Sequence, residues 1–279
     1  MAWVIALLIW AAGWWLNGRL AQSSYSDSRA VSLAIPAIFG ITLIAMWQVL
    51  VTMLEVSAVI LPAPSAIAAQ FAESIPILIA DFVQTIIKGA LVGYVFGMLA
   101  AFGVALLADR SPFLTQGILP VGSFMAALPI VGTAPIFVKW FGSDWESKAA
   151  VVAVMVFFPI LVNTVAGLKD TTAMQRDLMR TYAAGYWATL FKLRLPAALP
   201  FIFNGLKIAT TLALIGAIVA EFFGSPTVGM GFRISTSVGQ LAMDMVWAEI
   251  VVAALAGSSF YGAIALLEKR VTFWHPSQR

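Results

Sequence analysis

Residues 149–168 read Ala-Ala-Val-Val-Ala-Val-Met-Val-Phe-Phe-Pro-Ile-Leu-Val-Asn-Thr-Val-Ala-Gly-Leu, twenty positions without one charged side chain. At ~1.5 Å of rise per residue such a run makes a helix about 30 Å long, the thickness of a bilayer's hydrocarbon core. The run does not alternate apolar with polar residues, so it is not a barrel strand. In lipid a helix satisfies all of its own backbone hydrogen bonds, and the stretch therefore reads as a membrane-crossing helix.

The same test, about 18 residues without a charge, finds further runs on both sides. They are Met1 to Gly18, Val31 to Leu54, Gly89 to Ala108, Ser111 to Val138, Leu195 to Ala220 interrupted only by Lys207, and Ile250 to Leu267. Pro120, Pro129 and Pro135 break up the run from Ser111 to Val138. The expected fold is an all-α integral membrane protein: a polytopic helical bundle of six core spans plus one extra N-terminal helix. Composition agrees. Of 279 residues, 61% are hydrophobic and only 10% charged, against about 25% charged in soluble domains. The first run carries Trp3, Trp10, Trp14 and Trp15 and has no basic residue before it, which favours a retained helix over a signal peptide. Residues 1–30 are thus expected to be an extra transmembrane helix with its link, and residues 31–279 the transmembrane domain proper.

The net charge of +3 does not point to nucleic acid, because the basic residues lie in the connections rather than on a stripe interleaved with aromatics. One set of alternate connections holds Arg19, Arg29, Arg110, Lys169, Arg176, Arg180, Lys192, Arg194, Lys269, Arg270 and Arg279, eleven in all. The other set holds three, Lys139, Lys148 and Arg233. By the positive-inside rule this bias places the N-terminus outside and the C-terminus in the cytoplasm. There is no cysteine, hence neither a disulfide nor a thiolate metal site, and the single histidine, His275, sits in a polar tail. No paired carboxylate or His-x-x-x-His pair falls inside a span, so no catalytic or metal-ligating residue is assigned.

Three connections are longer than a turn. From Glu55 to Lys88 the prolines of Leu61-Pro62-Ala63-Pro64-Ser65 break the helix, and an amphipathic stretch from Ala66 to Phe71 is expected to lie along the outer face. From Glu221 to Glu249 comes Gly224-Ser225-Pro226-Thr227-Val228-Gly229-Met230-Gly231, a turn-rich run; read as a phosphate cradle it lacks the following Lys-Ser or Lys-Thr pair. From Lys169 to Arg194 the chain carries both charge signs, a helix-compatible interior from Ala173 to Phe191, and then the proline brake Leu195-Pro196. A short helix outside the lipid is expected there, with an ordinary basic loop as the alternative.

The stretch Asp177-Leu178-Met179-Arg180-Thr181-Tyr182-Ala183-Ala184-Gly185-Tyr186-Trp187-Ala188-Thr189-Leu190-Phe191-Lys192-Leu193-Arg194-Leu195-Pro196 resembles the coupling segment of binding-protein-dependent ABC importer permeases. That family's motif runs roughly Glu-Ala-Ala, three residues, Gly, then Ile or Val and Leu-Pro. Aligned on Leu195-Pro196, Asp177 falls on its Glu and Ala183 on its Gly, while Leu178 and Met179 replace its two alanines. Trp47 with the proline element at 61–65, Pro196-Ala197-Ala198-Leu199-Pro200 with Gly205-Leu206-Lys207, Gly216 to Phe222, and Gly229-Met230-Gly231-Phe232 are similar, in order and spacing, to the nitrate, sulfonate and taurine branch of that family.

The resemblance implies a homodimeric pore in the bacterial inner membrane, fed by an extracytoplasmic solute-binding protein. It implies that Asp177, Arg180, Thr181, Ala183, Ala184 and Gly185 couple this chain to separate ATP-binding cassette ATPase subunits, which bind the ATP and Mg. This chain has no Gly-x-x-x-x-Gly-Lys-Ser/Thr loop. The stretch from Phe201 to Phe222 looks closest to permeases for thiamine pyrimidines or riboflavin, with taurine, other sulfonates and nitrate left open. The rival reading is a secondary transporter or channel, for which neither an inverted repeat nor buried ion-coupling carboxylates is evident.

Two further groups stand out. Gly89, Gly93 and Gly97 share one helical face and allow close helix packing. Lys207, Glu221 and Phe222 are candidates for the pathway or an outer gate, because ionisable groups at membrane depth are functional candidates. Snorkelling or pairing inside the bundle for Lys207, and an interfacial anchor for Glu221, are the alternatives.

Overall fold

The computed structural model describes residues 1–23, 26, 28–126, 129–225 and 227–274; His275, Pro226 and Gln278 lie outside the described residues. Among the described residues there are helices and connections and no strand. In chain order the helices are α1 (Ala2–Ala21), α2 (Arg29–Met53), α3 (Pro64–Glu73), α4 (Ile75–Asp109), α5 (Pro112–Ala126), α6 (Ile130–Phe141), α7 (Trp145–Lys169), α8 (Ala173–Thr181), α9 (Tyr186–Glu221), α10 (Met230–Gly239) and α11 (Met243–Val271). Six of these, α1, α2, α4, α7, α9 and α11, are long and apolar enough to cross a membrane.

The chain packs as two units. One comprises residues 1–75 and 236–250, the other 76–235 and 251–279. In the first, α1 and α2 run antiparallel, and Gly13 lies so close to Thr42 that a Cβ there would clash with the threonine side chain. Trp47 of α2 meets Trp247 with ring centroids 4.9 Å apart. Gln48 exchanges two hydrogen bonds with Ser65, donating Nε2 to its Oγ (3.1 Å) and accepting its backbone N–H (3.0 Å). The second bond satisfies an amide in the first turn of α3, where the missing N–H of Pro64 costs nothing. Most side chains of α1 and α2, such as Trp3, Leu7 and Leu8, are exposed, as suits helices whose solvent is lipid.

In the second unit α7 is the centre. Its Val152, Val156, Ile160, Leu161, Val165 and Leu168 are fully or almost fully buried. Two helices lie against it by way of small residues spaced three, four or seven apart. From α4 these are Gly93, Gly97, Ala101 and Ala105; from α9, Ala198, Gly205, Ala209, Ala213 and Gly216. A Cβ on Gly97 would sit 2.5 Å from the Ala153 carbonyl, and one on Gly205 would sit 2.9 Å from Asn163 Cβ. Without a hydrophobic force between helices in lipid, such close backbone contact is the main source of attraction. Gly103, off this spacing, faces open space.

Four expectations need correction. The helix of the third span does not begin at Gly89: α4 starts at Ile75 and passes through a wide π-turn over Val83–Leu91, so residues 75–88 belong to the same continuous helix and not to a loop. Asp81 and Lys88 interrupt the uncharged run without interrupting the helix, since Asp81 is buried and ion-paired inside the unit. The run from Ser111 to Val138 is broken as its prolines suggest, but the break falls at Pro129, the N-cap of α6, which has no N–H to continue a ladder, and not at Pro120 or Pro135, which lie inside α5 and α6. Gly122 of α5 faces Phe158 and Val162 in the second half of α7, whereas Ala134 of α6 clusters with Val151 near its start. The pair together therefore runs the length of α7.

The other two corrections concern the segment after α7. The short helix α8 ends at Thr181, well before Phe191, and Leu195-Pro196 is no brake. Instead α9 starts at Tyr186 and runs through a π-turn over Leu190–Arg194 into Leu195–Glu221. The wider i→i+5 turn accommodates Pro196, which cannot donate to the carbonyl four residues back. Asp177 sits in the middle of α8. The N-cap is Thr172, in a capping box with Gln175: Thr172 Oγ1 accepts from Gln175 N (3.2 Å) and Gln175 Oε1 accepts from Thr172 N (2.9 Å).

Candidate functional site

The segment between α7 and α9 stands on three local devices. The capping box starts α8. A Schellman motif ends it: Ala184 N–H donates to the Met179 carbonyl (3.0 Å) and Ala183 N–H to the Arg180 carbonyl (2.8 Å). Ala183 holds φ at 52°, the left-handed conformation that this position demands and that glycine fills at least cost. Gly185 then takes the N-cap of α9.

Asp177 and Arg180 pair at 3.1 Å with side chains 66% and 81% exposed, a geometry worth little to stability. Thr181 Oγ1 donates to the Asp177 carbonyl (3.1 Å). Around them Met174, Leu178, Tyr182, Trp187 and Phe191 are largely exposed, the last two with rings stacked at 5.8 Å. Exposed apolar groups of this size on a polar, charged segment mark an interaction surface, for a protein or for lipid.

Below this segment lies a cluster that the sequence reading missed. Arg194 forks onto Asp109 at the end of α4, Nη1 donating to Oδ2 at 2.8 Å and Nη2 to Oδ1. The same guanidinium donates from Nε (3.0 Å) and Nη2 (2.9 Å) to the Leu168 carbonyl near the end of α7. Tyr186 adds its hydroxyl to Asp109 Oδ2 at 2.8 Å. Arg110 lies over Tyr186 and Trp187, 4.8 and 4.4 Å from their centroids. The Asp109 side chain is 5% exposed.

At the other end of the unit, Glu221 is not a freely accessible carboxylate. It is 2% exposed. Both of its oxygens accept from Thr85 Oγ1 (2.8 and 2.9 Å), and Oε2 also accepts from Gly231 N (2.7 Å). Thr85 Oγ1 in turn accepts from Met230 N (2.8 Å), and Asp81 Oδ1 accepts from Gly229 N (2.6 Å). Three successive amides that open α10 are thus each held by a side chain of α4 or α9. Asp81 is ion-paired with Arg233 at 2.8 Å, and the buried Lys148 ammonium donates to the Ser143 carbonyl (2.7 Å). The turn-rich run at 224–231 is pinned where it meets Glu221, because a helix N-terminus presents unsatisfied N–H groups that carboxylates neutralise. Phe222, at the C-cap of α9, remains about half exposed.

Lys207 reaches Glu268 of α11 at 2.7 Å, the two side chains 21% and 10% exposed. A Cβ built on Gly89 would stand 3.4 Å from Lys148 Cβ and 3.7 Å from Ala217 Cβ, which is ordinary contact, whereas one on Gly93 would clash with the Ala149 carbonyl and Val152. Among the described residues no group of three or more His, Cys, Asp and Glu side chains could hold a metal ion.

Comparison with known proteins agrees with this architecture. Residues 93–273 match the family described as binding-protein-dependent transport system inner membrane component. A formylaminopyrimidine transport permease protein of Halalkalibacterium halodurans is 29% identical over 250 residues, covering 90% of this chain and 99% of its own. A riboflavin transport system permease protein of Chloroflexus aurantiacus is 29% identical over 236 residues, 84% of this chain and 88% of its own. A taurine transport system permease protein of Escherichia coli is 27% identical over 268 residues, 93% and 96% of the two chains.

Proposed function

Since this chain belongs to the family of binding-protein-dependent transport system inner membrane components, the permease subunits of ABC importers for small solutes, we propose that residues 170–194 are its docking element for ATP-binding cassette subunits. The observation that carries this reading is the exposed apolar set Met174, Leu178, Tyr182 and Trp187 on a segment fixed at both ends by hydrogen-bonded caps. A nucleotide-driven motion outside the membrane can act on the spans only through something stiff attached to them. Asp177, Arg180, Thr181, Ala183, Ala184 and Gly185 lie on that element.

The rest of the assembly follows the family. Two copies of the chain form the pore, residues 31–279 make its body and residues 1–30 are an appended helix. Separate subunits bind ATP and Mg and hydrolyse the nucleotide, and a soluble binding protein delivers the solute from outside. The eleven-to-three charge bias supports a cytoplasmic position for residues 170–185 and for the C-terminus. For the solute we favour an aromatic vitamin precursor, supported by the riboflavin and formylaminopyrimidine relatives. The taurine relative makes a sulfonate the competing outcome.

The test is to co-express the chain with its ATP-binding cassette subunit and binding protein, purify the complex and reconstitute it. ATP-dependent uptake of labelled riboflavin, formylaminopyrimidine or taurine is expected for one of the three. Uptake that ignores ATP and follows an ion gradient would replace this reading with a secondary transporter.

A further inference from the structure

We infer that the Asp109–Arg194 pair is the joint through which movement of the 170–194 segment reaches the membrane helices, an inference that rests on the function proposed above. The geometry is specific to one residue. Arg194 is the last residue of the π-turn inside α9. Its planar guanidinium, with donors in a fixed fork, serves two other helix ends at once: the Asp109 carboxylate closing α4 and the Leu168 carbonyl one residue before the end of α7. No apolar contact could tie two helix ends to a third helix with such directional constraint.

The surroundings bind the joint to the docking element. Tyr186, the first residue of α9, shares the Asp109 carboxylate, and Arg110, the residue after Asp109, stacks on Tyr186 and Trp187. A push on Trp187, itself 54% exposed, is therefore transmitted to α4, α7 and α9 together. The side chains of Asp109 and Arg194 are only 5% and 17% exposed, so solvent does not screen the pair as it screens the Asp177–Arg180 pair on the surface. Charges that hold in a low-dielectric site give a stiff joint; charges in water do not.

The joint makes a positioning claim, and its readout is the conformational change obtained per ATP hydrolysed. In this cysteine-free chain, Ser143→Cys places one thiol before the far end of α7. The rate of its modification by a membrane-impermeant maleimide is compared in the nucleotide-free and vanadate-trapped complexes. With the pair intact we expect the two rates to differ at least threefold. Asp109→Asn should co-purify with the ATPase subunit and hydrolyse ATP within about twofold of the unaltered complex, yet bring the ratio of rates close to one, and Arg194→Lys should lower that ratio likewise. Arg194→Lys keeps the charge but loses the fork, and Asp109→Glu, which keeps the carboxylate, should recover most of the ratio.

A merely structural role would lower assembly and hydrolysis together and leave the ratio of rates unchanged, and that result overturns the inference. So does a nucleotide-dependent ratio in Asp109→Asn equal to that of the intact pair, or an intact complex that hydrolyses ATP without any change at residue 143. An unaltered chain that neither binds the ATPase subunit nor supports ATP hydrolysis would remove the proposed function and this joint with it.

Discussion

Gly229 and Glu221 touch: with φ at 134°, Gly229 lies so close that a Cβ built on it would stand 2.5 Å from Glu221 Oε1. The carboxylate can reach Gly231 N–H and Thr85 only because residue 229 has no side chain. Gly229→Ala should therefore destabilise the protein by about 1–3 kcal/mol from backbone strain alone, with the steric clash added. Glu221→Gln presents an N–H₂ where the site offers only donors, and should cost about 1–3 kcal/mol. Combining Gly229→Ala with Glu221→Ala relieves the clash, so the double variant should be more stable than the two single losses predict. Thermal unfolding of the purified chain measures all of these; strict additivity would show that the contact carries no energy.

Ala183 occupies the left-handed position of the Schellman motif that ends α8. A residue with a Cβ gives up about 1–2 kcal/mol there relative to glycine. Ala183→Gly should raise the protection of the 182–184 amides against hydrogen exchange and leave ATP-driven transport unchanged or improved. Ala183→Pro should do the opposite. Proline cannot reach φ 52° and would remove the N–H that donates to the Arg180 carbonyl, so transport should fail while the chain still inserts. Normal transport by Ala183→Pro would remove this segment from the coupling role.

Lys207 and Glu268 neutralise each other at 2.7 Å within the unit. Removing one partner strands a poorly solvated charge, at about 3–5 kcal/mol, whereas replacing both with apolar groups is often nearly neutral. Lys207→Met should thus lower the melting temperature much more than Lys207→Met with Glu268→Met. The double variant also decides what the lysine is for. Restored uptake would make the pair structural, and uptake lost in a stable double variant would put Lys207 on the solute's path.

Much of this was legible in the sequence, and most of the failures share a cause. The uncharged run at 149–168 is the centre of the packed unit, and the glycines at 89, 93 and 97 continue as Ala101 and Ala105 on the same face. Counting uncharged positions fails where a charge is buried with a partner far along the chain. Asp81 broke the run before Gly89, but its partners Gly229 and Arg233 are some 150 residues away. Glu221 looked like a residue at a mouth because Thr85, 136 positions distant, could not be seen beside it. The end of α8 was hidden for a different reason: its left-handed residue is Ala183, and the glycine signal that marks such ends stands two positions later. Arg194 was readable only as one more basic loop residue.

Asp144 caps α7. Its Oδ1 accepts from Gln84 Nε2 (2.9 Å) and from Trp145 N–H (2.8 Å). The hydrogen bond from Gln84 first, then that from Trp145, hold its carboxyl below the ordinary carboxylate range. A carboxyl whose folded-state value is depressed contributes stability that is present above its unfolded value, near pH 4, and is lost as pH falls through the folded value. Asp144→Ala should therefore be less stable than the parent by about 1 kcal/mol at neutral pH. The gap should narrow as the pH drops below about 4. A gap that persists unchanged in acid would mean that the charge of Asp144 plays no part.

Orientation is the last prediction, and it follows from the way the helices alternate. Short α5 and α6 run together along α7, so residues 112–141 count as one crossing despite the break at Pro129. With that crossing included, the connections at 22–28, 110–111 and 170–185 fall on one side of the membrane. Those at 54–74, 142–144 and 222–242 fall on the other. The first set lies next to Arg19, Arg29 and Lys169 and contains Arg110, Arg176 and Arg180; the second has Lys139 and Lys148 at its flanks and Arg233 within it. Such a bias sets which side stays in the cytoplasm. A reporter inserted after Gln22 should be active in the cytoplasm and one at Ser143 outside, with a reporter after Asp170 again cytoplasmic. If Ser143 and Asp170 report the same side, α7 does not cross. If Gln22 reports outside while Asp170 reports the cytoplasm, then α2, the α5–α6 pair or another counted span fails to cross, and the number of crossings falls by one.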